Sequence, residues 1–312
     1  MAIRLLRRLL ICLAAVPLVA AAITVTDDRG EQVQLTRSAE RVASISTFGA
    51  DLLLALGIKP AAITRFGPFA QPDYLGDRLD GVPVIGSRSQ VNMELLSEAG
   101  PDLVLAIRRY TEKDASRFAE IAPYAALNLV TLNDSIRAVS IAGKLVGRTE
   151  DAEEMNRQFQ QQLERYREQA PGGISAALLV TGGEVPFIYY DHFLTAELLS
   201  WLNVTNVGGK LVNPEQGLPL GYRMRLEDLL KQDPDVIFLF ASNKQRAFTH
   251  NPIWPYLKAV RQGQVYEVGQ HWKEAAGPVA RSLVVQEMAH RLYPDLFAMP
   301  DVPVSLRSKP YR

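Results

Sequence analysis

Guanidinium groups and aromatic rings recur in this chain where apolar, strand-like runs end, and those are the groups that grip an anion. Gly86-Ser87-Arg88-Ser89 follows a run ending at Ile85, and Arg108-Arg109-Tyr110 follows one ending at Ile107. Later come Tyr189-Tyr190, Gly221-Tyr222-Arg223 and Gln270-His271-Trp272-Lys273, the last directly after another such run. An arginine fork holds carboxylate or hydroxamate oxygens through two parallel charge-assisted bonds, and rings cover flat apolar or chelate surfaces. In an open α/β sheet the loops at the carboxyl ends of the strands face the binding crevice. Arg88, Arg108, Arg109, Tyr110, Tyr222, Arg223, Trp272 and Lys273 are therefore the candidate ligand-binding residues, suited to an anionic, partly flat ligand. For any one arginine the alternative is a solvated surface charge.

Other chemistries lack their residues. Neither common glycine-rich phosphate loop is present, nor a G-x-S-x-G elbow. Histidine occurs only at 192, 250, 271 and 290, and the single cysteine is Cys12. A cleft that grips a bare transition metal takes imidazole or thiolate from both walls, and nothing before residue 192 offers an imidazole. The expectation is no catalytic residues, no protein-bound metal and no resident cofactor.

The elements that must position these groups announce themselves through a repeated phrase. Met93 to Leu105 (MELLSEAGPDLVL) returns as Leu226 to Phe238 (LEDLLKQDPDVIF), 133 residues later. Each copy reads as a short helix stopped where proline forbids its continuation, then a buried strand. Two copies of that α/β unit imply two lobes of similar build with a cleft between them. Strand and helix signals alternate at βαβ spacing throughout, so both sheets should be mostly parallel. A hairpin is expected about 27–30, a loop over 67–81, and helices over 113–122, 134–145 (capped by Asp134 or Ser135), 193–202, 254–260 and 278–292. From Thr149 to Gln169 there is neither Pro nor Gly, acids fill the first turn, and Met155, Phe159, Leu163 and Tyr166 form a narrow apolar stripe. Such a helix is about 30 Å long and reads as a brace between lobes. The division is 23–134 for the first lobe, 135–170 for a helical connector with its backbone helix at 149–169, 171–297 for the second lobe, and 298–312 for a loose tail.

Balanced charge, 34 basic against 34 acidic residues, argues against a nucleic-acid partner. At the N-terminus Arg4, Arg7 and Arg8 precede an apolar stretch from Leu9 to Leu18 and a small-residue run at Ala20-Ala21-Ala22. This reads as a signal peptide over 1–22. The apolar run from Leu9 to Ile23 is fifteen residues, short of the roughly twenty a span needs. Leu10-Ile11 before Cys12 does not suit a lipid-attachment site. The expected product is an unlipidated periplasmic monomer without a thiol; three arginines leave with the signal, so 31 basic face 34 acidic residues, a net charge of −3.

The chain resembles the periplasmic binding proteins of iron–siderophore and cobalamin ABC importers, most of all the ferric-citrate and ferric-hydroxamate receptors. The likeness spans nearly the whole mature chain. It is carried by Thr24-Val25-Thr26-Asp27-Asp28, the strand at 41–46, Leu52-Leu53-Leu54-Ala55-Leu56-Gly57, Ile85-Gly86-Ser87-Arg88, both Pro-Asp repeats and the Trp272 loop before a helix. The resemblance implies the class III solute-binding fold: two α/β lobes with mostly parallel sheets joined by one long helix. It implies a ligand site at Arg88, Tyr110 and Trp272, whereas Arg108, Arg109, Arg223 and Lys273 rest on loop position alone. It also implies that Glu94 and Glu227, one per lobe and each at a helix start, dock with arginines of the inner-membrane permease, which works with its ATPase. Helix N-terminal charge stabilisation is the plain alternative for both glutamates. The expected function is capture and delivery of a ferric siderophore-type chelate, iron entering only as part of that chelate. Cobalamin or haem on the same fold, an exported two-lobed enzyme, and a structural adaptor are the rivals.

Overall fold

The computed structural model describes residues 22–65, 72–180, 183–212, 219–240 and 246–311. The signal-peptide and Cys12 readings, and 67–71 of the expected loop, lie outside them. Alternating apolar residues pair β1 (Ile23–Thr26) with β2 (Gln32–Leu35) in a separate antiparallel hairpin. The first lobe then runs β3 (Val42–Ile45), α1 (Thr47–Ala55), β4 (Ala62–Arg65), a 3-10 segment (Asp73–Leu79), β5 (Val84–Ser87), β6 (Gln90–Val91), α2 (Met93–Glu98), β7 (Leu103–Ile107), α3 (Arg108–Thr111), α4 (Ala115–Ala119) and β8 (Tyr124–Leu127). Its sheet has the order β6-β5-β4-β3-β7-β8, parallel except at β6. The helices α5 (Leu132–Leu145) and α6 (Thr149–Gln169) follow.

The second lobe is built from β9 (Ile174–Val180), β10 (Phe187–Tyr189), α7 (Leu194–Trp201), β11 (Val204–Asn206), β12 (Gly221–Arg223), α8 (Leu226–Gln232), β13 (Val236–Phe240), α9 (Lys258–Arg261), β14 (Val265–Val268), α10 (Pro278–Leu292) and β15 (Lys309–Pro310). Its order is β12-β10-β9-β13-β14-β15, with β11 also on β9. The central strands are parallel, while β10 is antiparallel to both β9 and β12, and β15 is antiparallel to β14.

The repeated phrase builds the same device twice. α2 and α8 each bury the leucine at their core position, Leu96 and Leu229, and each leads into a strand buried along its whole length. Both stop at a left-handed residue before the proline, Gly100 (φ 55°) and Asp233 (φ 41°), as helix C-termini do. The Asp after each proline then ties down the neighbouring strand. Asp102 accepts from the Glu40 and Arg41 N–H groups at 3.0 and 2.9 Å; Asp235 accepts from the Ser175 N–H at 2.7 Å and its hydroxyl at 3.0 Å. The Pro-Asp pair thus registers β7 on β3 and β13 on β9.

The long α6 turns Ala152, Asn156, Phe159 and Leu163 inward, with Met155 and Tyr166 half-buried beside them. The polar member of this seam is structural. Asn156 donates to the Ile136 carbonyl and the Ser140 hydroxyl of α5 and accepts from Arg281 of α10 at 2.8 Å. Arg281, fully buried, also donates to Ser135 at 3.0 Å and lies 4.4 Å from the Phe159 ring centre. α6 thereby locks α5 to α10 through hydrogen bonds that only an exact alignment satisfies.

Several expectations change. The cap of α5 is Thr131, with Asp134 completing a reciprocal capping box from the third helical position. The helices expected at 113–122 and 254–260 are shorter α and 3-10 pieces, because polar residues and Pro255 interrupt the period. Residues 108–110 and 221–223, read as loops, are the start of α3 and strand β12. The tail is not loose. β15 pairs with β14, Arg291 donates to Ser308 at 2.7 Å, and the buried Glu287 carboxylate accepts the Ser308 N–H. Backbone pairing on a sheet edge needs no apolar period, which is why composition hid it.

Candidate ligand-binding cleft

Arg88 sits on the tight turn between β5 and β6. Gly86 takes φ 109° there, and a Cβ on it would lie 2.4 Å from the Gln90 carbonyl oxygen, so only glycine allows this turn. The Arg88 guanidinium carbon lies 4.6 Å from the centre of the Tyr110 ring, and that of Arg109 lies 4.9 Å from the same ring. α3 starts directly at the end of β7, so Arg109 and Tyr110 are delivered to the carboxyl end of the sheet, where Arg88 also stands. Two cations on one ring are within cation–π range.

The second lobe meets this group from the segment after β14. Glu274 forms an ion pair with Arg88, the two side chains retaining 9% and 12% exposure, and its other oxygen accepts from the Thr47 hydroxyl of α1 at 2.7 Å. Burial pulls the Arg88 pKa down to about 10; the Tyr110 hydroxyl opposes that and the like charge of Arg109 adds to it. Burial lowers Lys273 as well, helped by the positive charges of Arg88 and Arg109. Tyr189, at the end of β10 and stacked on Phe193 at 4.2 Å, has its phenol pushed above the ordinary value by burial, against the pull of Arg109 and Arg88. Arg88, Arg109, Tyr110, Tyr189, Lys273 and Glu274 are therefore one electrostatic group drawn from both lobes. Cations stripped of water are where an anion is worth most.

Trp272 is corrected out of the ligand-facing set. It is fully buried, its indole N–H donates to Glu287 at 2.6 Å, and its ring lies 4.9 Å from that of Phe238. A 3-10 turn over Gln270–Trp272 rolls the ring into the core of the second lobe, and Lys273 and Glu274 follow on the cleft side. Arg108 also faces elsewhere: it forks Glu112 with two bonds of 3.0 Å and donates to the Asp28 carbonyl, pinning the hairpin to α3. Arg223 stays exposed on β12 opposite Phe187, without a described contact to the Arg88 group. Tyr222 lies 5.0 Å from Tyr190, ring to ring, in a separate aromatic row. His271 is buried between Tyr74 (5.7 Å, ring to ring) and Glu287 (3.5 Å). Among the described residues no three His, Cys, Asp or Glu side chains gather to hold a metal ion.

Sequence reasoning named Tyr189 without assigning it to the site, and it missed Glu274 and Asp51. An acid beside Lys273 carries no signal of what it faces. Asp51 of α1 crosses between the lobes and serves as the N-cap that α10 lacks, accepting from the Val279 and Ala280 N–H groups at 2.9 and 2.8 Å and from the Tyr74 hydroxyl at 2.9 Å. Gly277 makes room: a Cβ there would stand 2.3 Å from the Asp51 carboxyl carbon. Burial raises the Asp51 pKa to about 6 in spite of these bonds.

Glu94 and Glu227 are both exposed, each two residues before a buried leucine of its helix. A cavity of about 550 Å³ lies away from the Arg88 group, lined by residues that include Thr131, Asp191, His192, Glu197 and Lys210. Its lining sets Lys210 among Asp191 and Glu197, so it is the weaker anion site.

Two α/β lobes, one long helix and a cationic cleft between them define a periplasmic-type substrate-binding protein. The sequence signature of the periplasmic binding protein family matches residues 42–271, and the chain belongs to that family. It is 29% identical over 262 residues to a putative ABC transporter substrate-binding lipoprotein, YhfQ, of Bacillus subtilis, covering 79% of this chain and 80% of that one. It is 23% identical over 278 residues to the Fe(3+)-citrate-binding protein YfmC of the same bacterium, covering 86% of each. The solved structure of the petrobactin-binding protein YclQ of Bacillus subtilis matches with a TM-score of 0.73 at 16% identity, over 88% of this chain and 99% of that one, a likeness of fold.

Proposed function

We propose that the protein captures an anionic ferric chelate of the siderophore or citrate type between its lobes and hands it, unaltered, to an ABC permease with its ATPase in the inner membrane. The observation that carries this is the desolvated Arg88 guanidinium over Tyr110, with the charges of Arg109 and Lys273 beside it. Two guanidiniums over one ring, the Arg88 one withdrawn from water, with the Lys273 charge nearby, favour several anionic oxygens at once. The names of relatives that bind ferric citrate or petrobactin support iron chelates as the class. Arg223, Tyr222 and Arg108 are left outside the contact set.

Thermal-shift measurements against iron-loaded and iron-free citrate, catecholate and hydroxamate chelators, with haem and cobalamin included, test the reading. An anionic ferric chelate should raise the melting temperature most. A shift confined to haem or cobalamin replaces the ligand; no shift with any compound leaves the structural-adaptor rival, and turnover of a bound chelate would make the protein an enzyme.

Delivery rests on Glu94 and Glu227, which stand exposed at the first turns of the duplicated helices. The double variant Glu94→Ala with Glu227→Ala should bind the chelate as the parent does and fail to support uptake; undiminished uptake overturns the docking role. The reading further holds that the mature protein begins after residue 22, carries no lipid and is monomeric. Some relatives are named lipoproteins, so intact-mass measurement of the exported protein is the check: an acyl group on Cys12 contradicts it.

A further inference from the structure

Glu274 is an acid in a group otherwise made of cations and phenols, and nothing in anion capture asks for it. Its position is nonetheless built. One carboxylate oxygen pairs with Arg88 while the other is held by the Thr47 hydroxyl at 2.7 Å, so a residue of the second lobe bridges two points of the first. Both members of the ion pair are about nine-tenths withdrawn from solvent. A buried pair of this kind is weak evidence for stability, because desolvation offsets the attraction; breaking it by removing one partner is costly. The arrangement therefore makes better sense as a device for the cleft than as a strut.

We propose that Glu274 is an internal competitor that sets the affinity of the cleft, its carboxylate holding the fork of Arg88 that an incoming anion needs. The proposal rests on the reading of Arg88 as the ligand's anchor. A lone carboxylate from solution can only exchange for Glu274, and it loses translational freedom in doing so, whereas Glu274 is already tethered. A chelate with several anionic oxygens reaches Arg88, Arg109 and Lys273 together and outweighs that exchange. On displacement Glu274 keeps the Thr47 hydroxyl, so the carboxylate has to turn away from Arg88 without losing its second partner. The Arg88 contact is one of two links that Glu274 makes across the lobes, so binding exchanges that link and leaves the Thr47 one in place.

Two measurements on Glu274→Gln, with Glu274→Ala as a second variant in case the amide misfolds, separate this proposal from the assignment of function. In protein without added ligand, modification of Arg88 by phenylglyoxal, followed by peptide mass spectrometry, should be at least tenfold faster in the variants than in the parent. Equal rates show that Glu274 does not hold the guanidinium and end the proposal whatever the ligand is. In calorimetric titration with ferric citrate, either variant should bind at least tenfold more tightly than the parent, including the case where only the variant binds measurably. Equal affinity, equal absence of binding, or weaker binding by the variants overturns the competition. The ferric-chelate reading itself then stands or falls separately, on the thermal-shift panel.

Discussion

The chain leaves β7 and β14 in similar ways and uses the two exits differently. After β7 it enters α3 at once: Arg108 turns back to Glu112 and the hairpin, and Arg109 and Tyr110 go to the cleft. After β14 it makes a 3-10 turn that sinks Trp272 onto Glu287 and brings Lys273 and Glu274 to the cleft. In a helical turn successive side chains point about 100° apart, so one step along the chain separates a ligand-facing group from a structural one. The first exit supplies cations and a ring. The second supplies an acid, a lysine and, where Asp51 of α1 accepts from the start of α10, the seam that joins the lobes.

The largest effect expected from this contrast falls on Trp272. Trp272→Ala should cost about 3–5 kcal/mol of stability, as buried aromatic truncations do, and leave chelate affinity near that of the parent at a temperature where the variant is folded. Lost affinity with an unchanged denaturation midpoint would return Trp272 to the ligand site. Arg88→Ala should lower chelate affinity roughly 30-fold or more, since truncating one partner of a desolvated charge pair costs about 2–5 kcal/mol.

Asp51→Asn sharpens the second half of the comparison and should cost about 1–3 kcal/mol, because the amide cannot accept from all three donors. Its pH dependence has a definite sign. The folded pKa of about 6 lies above the ordinary 3.8, so the native state binds the extra proton between them. The contribution of Asp51 to stability is present below the lower value and lost as pH rises through the upper one. The advantage of the parent over Asp51→Asn in chemical denaturation should therefore shrink between pH 4 and pH 6; an advantage that grows over that interval contradicts the assigned burial. Smallest of all is Arg108→Ala, at less than about 1 kcal/mol and without change in affinity.

Periodicity and duplication made much of this fold legible. The strand at Val265–Val268 and the helices Thr149–Gln169 and Pro278–Leu292 fall where their apolar spacing and helix-end signals put them, and the repeated phrase located both lobes. Arg88, Arg109, Tyr110 and Lys273 could be named because strand ends fix where a loop lies. What strand ends do not fix is direction. Trp272 and Arg108 were misassigned for that reason: Arg108 found Glu112 one turn on, and Trp272 found Glu287 fifteen residues on, in α10. Glu274 and Asp51 were invisible because their partners, Arg88, Thr47 and the start of α10, lie about 190 to 230 residues away in sequence. The ordered tail was missed because its pairing with β14 uses backbone rather than side-chain pattern.

The most direct test is a crystal structure of the protein with the ferric chelate that gives the largest thermal shift. The account predicts the chelate between the lobes, its anionic oxygens hydrogen-bonded to Arg88 and within reach of Arg109 and Lys273, with Tyr110 alongside and Trp272 still buried. A chelate seated elsewhere, with the Arg88 group untouched, would contradict it.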